Sequence, residues 1–470
     1  SLVQTNRKKT KAYEWLSHWS IAERERMPSY VFKLRLSKGS VLYELLQHEI
    51  AGARLSVYVF NITNADRFLA GEDYKLKVEE VGPFAFQEYR WYEDLEMSED
   101  GKLMAMTPRV RSEFVPEASL AHPKDVNLTL PNLPLLVTLI SNYPIFVHYP
   151  YNIMTSQLGS KAIMNIDVHN YLWGYKNPLM TVFNGLAPGI IYFDKIGLLD
   201  RLYDNESDFR IVVGATHQDR FRIKSVTKSS VTTFTDTYEG AGYPPMLTPD
   251  IPINLYRLGF CKTFNLEYIR TKTMEYGGEG LVYTISNKTF MSEVNPITLK
   301  PYPDGLMDIS GCYYGLPYVV SKAHFIDADP NLLERIEGLE AGLILNILFL
   351  QKASVTYNTR LSLQLTLMLN DISFNRETKM LSNTVVPIVL VNLDQPKWTE
   401  ATMSKFILVY KIAPYVVLAL VIVMFLIGSV ILVHAVRSMY YNWVSSTKEM
   451  IFETTIDEKL MNTILPLIRE

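Results

Sequence analysis

The stretch Pro414–Val433 reads PYVVLALVIVMFLIGSVILV. Its twenty residues carry no charge, and fourteen of them are Val, Leu, Ile or Phe. A helix of that length rises about 30 Å, the thickness of a bilayer's hydrocarbon core. Each such residue favours insertion by roughly 0.3–0.6 kcal/mol at mid-helix, so the run favours it by about 6 kcal/mol. The alternative is a buried core helix, which seldom keeps an apolar surface all round for so long. The sequence therefore predicts a transmembrane helix over 412–436, with a tail at 437–470 on one side. Most of the mass lies on the other.

The flanking charges do not orient this helix. Lys405 and Lys411 precede it; Arg437 and Lys448 follow it. Four N-x-[ST] acceptor sites, at Asn61, Asn127, Asn205 and Asn287, all precede the span, and none follows it. They argue that the large segment is luminal or extracellular and the tail cytoplasmic. The chain holds two cysteines, Cys261 and Cys312. Two thiols alone read more commonly as free and buried in a reducing compartment. On the luminal side, a bridge between them is expected.

A net charge of −3 over 470 residues offers no field for nucleic acid. Apolar residues make up 48%, with 29 Tyr and 21 Phe, which suits a strand-heavy body with a large core. Residues 1–35 are polar and basic, with no apolar run long enough for a signal peptide or a span. Because the chain opens on Ser1 rather than Met, a fragment, a processed form or a spliced variant is expected.

Ser40–Ile50 reads as a short helix capped by Ser40. Leu55–Asn61 alternates as a strand, and Tyr74–Glu88 reads as strand broken at Gly82-Pro83. Residues 130–175 are apolar and helix-prone but interrupted by Pro131, Pro134, Pro144 and Pro150, which predicts two or three short helices. Thr and Val alternate through Val226, Val231, Thr233 and Thr235, which predicts strands over 209–237. Residues 242–330 read as loop-rich; Arg360–Leu369 and Val385–Leu393 read as strands. Strands on both sides of the helical stretch favour a single large α+β ectodomain over 38–411.

No catalytic pattern stands out. His48-Glu49 lacks a second His at helical spacing, and there is no G-x-S-x-G. Gly277-Gly278-Glu279-Gly280 lacks phosphate-loop spacing, and Asp327, Asp329 and Glu334 lack the calcium-loop pattern. The expectation is a protein that is not an enzyme and has no metal or cofactor.

Several stretches in colinear order resemble the class B scavenger receptor family. Val57 to Asn64 (VYVFNITN) resembles its early strand and acceptor site. Glu80 to Phe86 (EVGPFAF) resembles its E-V-G-P-Y-x-Y signature. Leu172-Trp173-Gly174-Tyr175 matches its L-W-G-Y, and Phe193 to Leu198 the next turn. Asp304-Gly305 through Cys312, Ser321 to Phe325, and Ile336-Glu337-Gly338-Leu339 follow in order. Ala413 to Leu420 and the terminal Pro466-Leu467-Ile468-Arg469 lean toward the family's lysosomal member, with Leu467 and Ile468 as a sorting signal. Departures are clear too. Thr463 stands where an acidic residue normally precedes such a leucine, and Ala323 replaces a proline. An apolar run replaces the acidic segment after Leu339, and the first of two family spans is absent from 1–37.

The resemblance implies a large antiparallel β-barrel-like ectodomain with an apical helical bundle at about 130–175 and an internal lipid tunnel. It implies a long-range Cys261–Cys312 bridge. Partners would be lipids (fatty acids, sterols or phospholipids) and a protein cargo at the apex, with homo-oligomerisation left open. The membrane would be lysosomal or endosomal. The other reading is a plasma-membrane scavenger or chemosensory receptor for fatty acids, lipoproteins or apolar odorants. At the apex Leu135, Leu136, Leu139, Ile140 and Phe146 would offer apolar surface. Lys161, the only Lys or Arg between Val126 and Tyr175, would meet an anionic head group or protein ligand. His148 would respond to acid.

Overall fold

The computed structural model describes residues 36–467 apart from 141–144, 187–194, 201, 204–208, 228, 230, 232, 245–246, 275–277, 292–293, 295–300, 314–315, 340–346, 352–355 and 396–399. The chain divides into two compact units, Ser1–Glu400 and Ala401–Glu470.

In the first unit Ser40 caps the helix Val41–Gln47, its hydroxyl accepting from Tyr43 N. Three long strands follow: β1 (Ile50–Ile62), β2 (Leu76–Met97) and β3 (Leu103–Phe114). β4 (Asn127–Pro131) pairs with β5 (Ile163–Asp167) as a separate ribbon, as does β6 (Tyr175–Lys176) with β7 (Lys195–Ile196). Then come β8 (Ile211–Gly214), β9 (Ile223–Val226), β10 (Thr237–Tyr238), β11 (Ile253–Arg257), β12 (Lys262–Thr273) and β13 (Glu279–Ile285). The unit closes with β14 (Met307–Asp308), β15 (Tyr318–Lys322), β16 (Ile336–Glu337), β17 (Ile347–Gln351), β18 (Thr356–Met368) and β19 (Val385–Asp394).

One sheet takes up most of them, in the order β10-β11-β12-β13-β17-β18-β19-β1-β2-β3-β8-β9. It is antiparallel except at β10–β11 and β16–β2. The expected barrel-like body is therefore only partly met. Among the described residues no ladder closes the sheet; its two ends touch through an isolated bridge, Arg222 to Tyr238.

The register follows from the period of two. Leu55, Val57 and Val59 of β1 are buried and lie across from Leu393, Val391 and Val389 of β19. Those three in turn oppose Leu361, Leu363 and Leu365 of β18. One face of three central strands is thus continuously aliphatic.

Four local expectations change. Gly82-Pro83 does not break its strand: β2 runs through it, with a bulge against β1 between Val57 and Val59. Gly82 sits at φ +154°, where a Cβ would meet the Val57 carbonyl oxygen at 2.7 Å, so only glycine passes there. Over 130–175 three helices form, Leu133–Ile140, Ile145–Gln157 and Val168–Trp173, but β4 and β5 frame the first two and β5 leads into the third. Val231, Thr233 and Thr235 lie outside any strand; among the described residues β8 and β9 form in that region, and β10 begins at its end with Thr237. Residues 242–330, expected as loops, contribute β11 to β15. β13 buries Gly280 through Tyr283 in succession, so its burial shows none of the alternation that marks a half-exposed strand.

In the second unit, helix Glu400–Ile407 passes through a π turn, Leu408–Ile412, into the helix Ala413–Leu467. Ala413–Asn462 is long and apolar enough to cross a membrane, and none of its most apolar window is buried by protein. Its 55 residues extend about 80 Å, well beyond a bilayer core. Tyr440, Tyr441 and Trp443 are exposed just after the apolar run, where interfacial aromatics belong.

Candidate functional site

The aliphatic face of β1, β18 and β19 lines a cavity of about 540 Å³ within the first unit. Leu55, Leu363, Leu365, Val389, Val391 and Leu393 form this wall. Val320 joins it because β15 sets Val320 opposite Leu365. Leu198, Leu199 and Leu202 line it from the segment after β7. The volume falls within the range of about 300–1,000 Å³ typical of small-molecule sites.

The same cavity carries a compact set of charges. Glu88, Arg90 and Tyr92 alternate along β2 and so share one face; Glu239 follows β10, and Arg257 ends β11. Arg90 grips Glu88 through two nitrogens, Nε at 3.2 Å and Nη2 at 3.0 Å. Its Nη1 lies 3.9 Å from Glu239 Oε1. Tyr92 donates to Glu239 at 2.5 Å, and Tyr203 donates to Glu88 at 2.7 Å. The charge of Glu88 holds the Arg90 guanidinium above its ordinary value, against the effect of burial. Burial first, then the neighbouring carboxylates, pushes Tyr92 and Tyr203 far above the usual phenol range, so both stay as donors. Arg257 differs. Burial and repulsion from Arg90 lower it, and Glu239 only partly opposes them. Among the described residues its Nε is buried without a hydrogen-bond partner, as is the hydroxyl of Tyr313, which lines the same cavity.

Cys261 and Cys312 form a disulfide whose Cα atoms lie 5.6 Å apart, and both line the cavity. The bridge ties the turn after β11 to the turn before β15, bracing the wall on which Arg257 and Tyr313 sit.

The predicted site residues do not gather here. Leu135, Leu136 and Leu139 are buried in the core, so packing uses their apolar surface. The side chains of Ile140 and Phe146 lie outside the described residues. His148 is half-buried and stacks on Phe374, with ring centroids 3.8 Å apart. Lys161 is exposed and borders a second pocket of about 750 Å³ with Asn64, Arg67 and Asn132; its carbonyl accepts from the Asn132 side chain at 2.7 Å. Tyr149 and Ile153, four apart on helix Ile145–Gln157, are exposed there instead.

Of the four acceptor sites, Asn127 and Asn287 are exposed. Asn61 is half-buried, its side chain donating to Glu79 at 2.7 Å and accepting from Thr129 N at 2.9 Å. Asn205 and Ile468 lie outside the described residues, as does the side chain of Leu467. Among the described residues no group of His, Cys, Asp and Glu could hold a metal ion.

A large antiparallel sheet lining a largely apolar cavity, a disulfide beside it and a C-terminal helix long and apolar enough to cross a membrane define a membrane-anchored protein with nothing among the described residues that points to catalysis. The chain belongs to the CD36 family, whose model matches residues 19–439. It is similar to scavenger receptor class B member 1 of Bos taurus, 25% identical over 442 residues that cover 88% of this chain and 86% of the relative. It is also similar to that receptor in Mus musculus, at 26% over 357 residues, covering 71% and 69%. Lysosome membrane protein 2 of Homo sapiens is 24% identical over 328 residues, covering 65% and 66%.

Proposed function

We propose that this chain is a scavenger-type receptor that binds lipid in the central cavity and hands it to the membrane holding its C-terminal helix. The observation that carries the reading is the continuous aliphatic wall that β1, β18 and β19 give to the cavity. Such a wall shelters an alkyl chain from water, worth about 25 cal/mol per Å² covered. Transfer of an intact lipid makes and breaks no covalent bond, in keeping with the absence of a catalytic pattern in the sequence.

The boundaries 38–411 for the ectodomain, 412–436 for the span and 437–470 for the tail belong to this reading. So do glycans at Asn61, Asn127, Asn205 and Asn287. Lys161, exposed at its own pocket, would greet anionic ligands or a protein cargo at the surface; unchanged binding in Lys161→Ala removes that role. His148 would carry an acid response through its stack on Phe374, which His148→Gln abolishes. The compartment is lysosomal or endosomal, in line with relatives that include a lysosome membrane protein. Relocation of a tagged chain after changing Leu467 and Ile468 checks it.

The central test is to fill the cavity. Val391→Trp places a large ring against the wall. The full chain in lipid nanodiscs should bind radiolabelled fatty acid, sterol or phospholipid, and the filled variant should not while keeping its thermal stability. A folded variant that binds as the parent does refutes the cavity as the lipid site.

A further inference from the structure

Deepening the cavity reading above, on which it rests, we infer that Arg257 is a specificity-determining residue that selects lipids with an anionic head group, carboxylate or phosphate, over neutral ones. Two carboxylates and three guanidiniums line the cavity, and Arg109 is taken by Glu93 at 2.8 Å, outside that lining. Arg90 takes both carboxylates, Glu88 at 3.0 Å and Glu239 at 3.9 Å. Tyrosine hydroxyls occupy the remaining oxygens, Tyr203 on Glu88 and Tyr92 on Glu239. Every acid is thus matched, and one base is left over. Arg257 is half-buried, and its Nε is fully buried with no acceptor among the described residues. A buried donor without a partner is costly, and natural interiors supply one. The Tyr313 hydroxyl, which lines the same cavity, is also buried without a partner among the described residues. Two orphan donors beside an aliphatic chamber fit an amphiphile, with its anion on Arg257 and its chain along Leu363, Val391 and Leu393.

The geometry is suited to discrimination. A guanidinium offers planar paired donors to a carboxylate or phosphate. A neutral alcohol leaves the charge uncompensated, so it gains the burial of its chain and little more. Glu239 sets the scale of the preference, because of the two carboxylates in the cluster it acts more strongly on Arg257.

The experiment measures equilibrium binding of three probes with one chain length, hexadecanoate, hexadecyl phosphate and hexadecanol, to the full chain in phosphatidylcholine nanodiscs. The parent should bind at least one anionic probe roughly tenfold to a hundredfold tighter than hexadecanol, the scale of a charge-assisted hydrogen bond. The two anionic probes separate a carboxylate site from a phosphate site. Arg257→Met should erase the preference and leave hexadecanol unchanged; Arg257→Lys should keep part of it. Glu239→Gln should strengthen anion binding, by removing the competing charge. Should Arg257→Met fail to fold, the last two variants decide. If no probe binds the parent, the cavity reading falls and takes this inference with it. If all three bind the parent alike, or Arg257→Met keeps the preference, lipid binding stands and the role of Arg257 is overturned.

Discussion

Arg90 is the hub of the cavity's ionic cluster, and Arg90→Met isolates what that hub contributes. Met keeps the length of the stem and removes the charge, stranding Glu88 with Tyr203 and Glu239 with Tyr92 as their remaining hydrogen-bonding partners. Breaking a fully buried pair costs about 3–5 kcal/mol. The Glu88 side chain is 8% exposed but that of Arg90 is 37% exposed, so part of the loss is screened and about 2–3 kcal/mol is expected. Unfolding entropy is about 2.1 cal/mol/K per residue, or roughly 0.8 kcal/mol/K for a unit the size of Ser1–Glu400. The midpoint should then fall by about 2–4 °C. Adding Glu88→Gln removes the stranded charge and should recover at least half of the loss, whereas Glu88→Gln alone should destabilise. The assay is thermal and urea unfolding of the full chain in detergent, followed by tryptophan fluorescence. A loss within about 0.5 kcal/mol, the scale of an ordinary surface substitution, would show that the pair is not desolvated. So would a double variant no better than Arg90→Met.

Cys312→Ser opens a loop closed across 51 residues. The chain-entropy model gives a loss of about 4 kcal/mol, read as a lower urea midpoint that reducing agent reproduces in the parent but does not deepen in the variant. Gly338 lies at φ +104°, and a Cβ there would sit 1.8 Å from the Val78 carbonyl oxygen. Gly338→Ala should therefore destabilise by more than the roughly 1–3 kcal/mol of backbone strain alone, seen as poor folding yield; a parent-like melt would refute the packing of β16 on β2. Burial raises Tyr243 and Tyr283 to about 12, and drives Tyr171, Tyr203 and Tyr318 well above the ordinary phenol value. A folded pKa raised above the unfolded one gives stability that is complete below about pH 10 and is lost as pH rises through the folded values. Alkaline unfolding should begin above pH 10 and carry tyrosinate absorbance with it in one cooperative step; gradual ionisation of a chain that stays folded would contradict the burial.

What the sequence determined by itself was whatever depends on near neighbours. The membrane helix is read from composition alone, because lipid demands an apolar surface all round and no partner can substitute for it. The Ser40 cap, β1, β18 and β19 were legible for the same reason: a cap is a contact three residues long, β1 and β18 carry a period of two in their residue types, and β19 is a short run rich in Val, although β18 and β19 are buried without alternation. The family signatures also belong to this level, and Gly82 shows why such a motif is tight, since the β1 backbone leaves no room for a side chain. The tertiary structure decided the rest. Strands β11 to β13 hid among prolines and glycines, and β13 is covered on both faces, so its burial lacks alternation. Leu135, Leu136 and Leu139 read as ligand surface because a helix's apolar face looks the same whether it meets a lipid or the core. The ionic cluster could not be read at all. Glu88 and Arg90 are two apart, but Glu239 and Arg257 arrive from the far end of the sheet order, and only the folding of that sheet brings β11 against β2. Charge pairing over such distances is a property of register and closure, which no local pattern encodes.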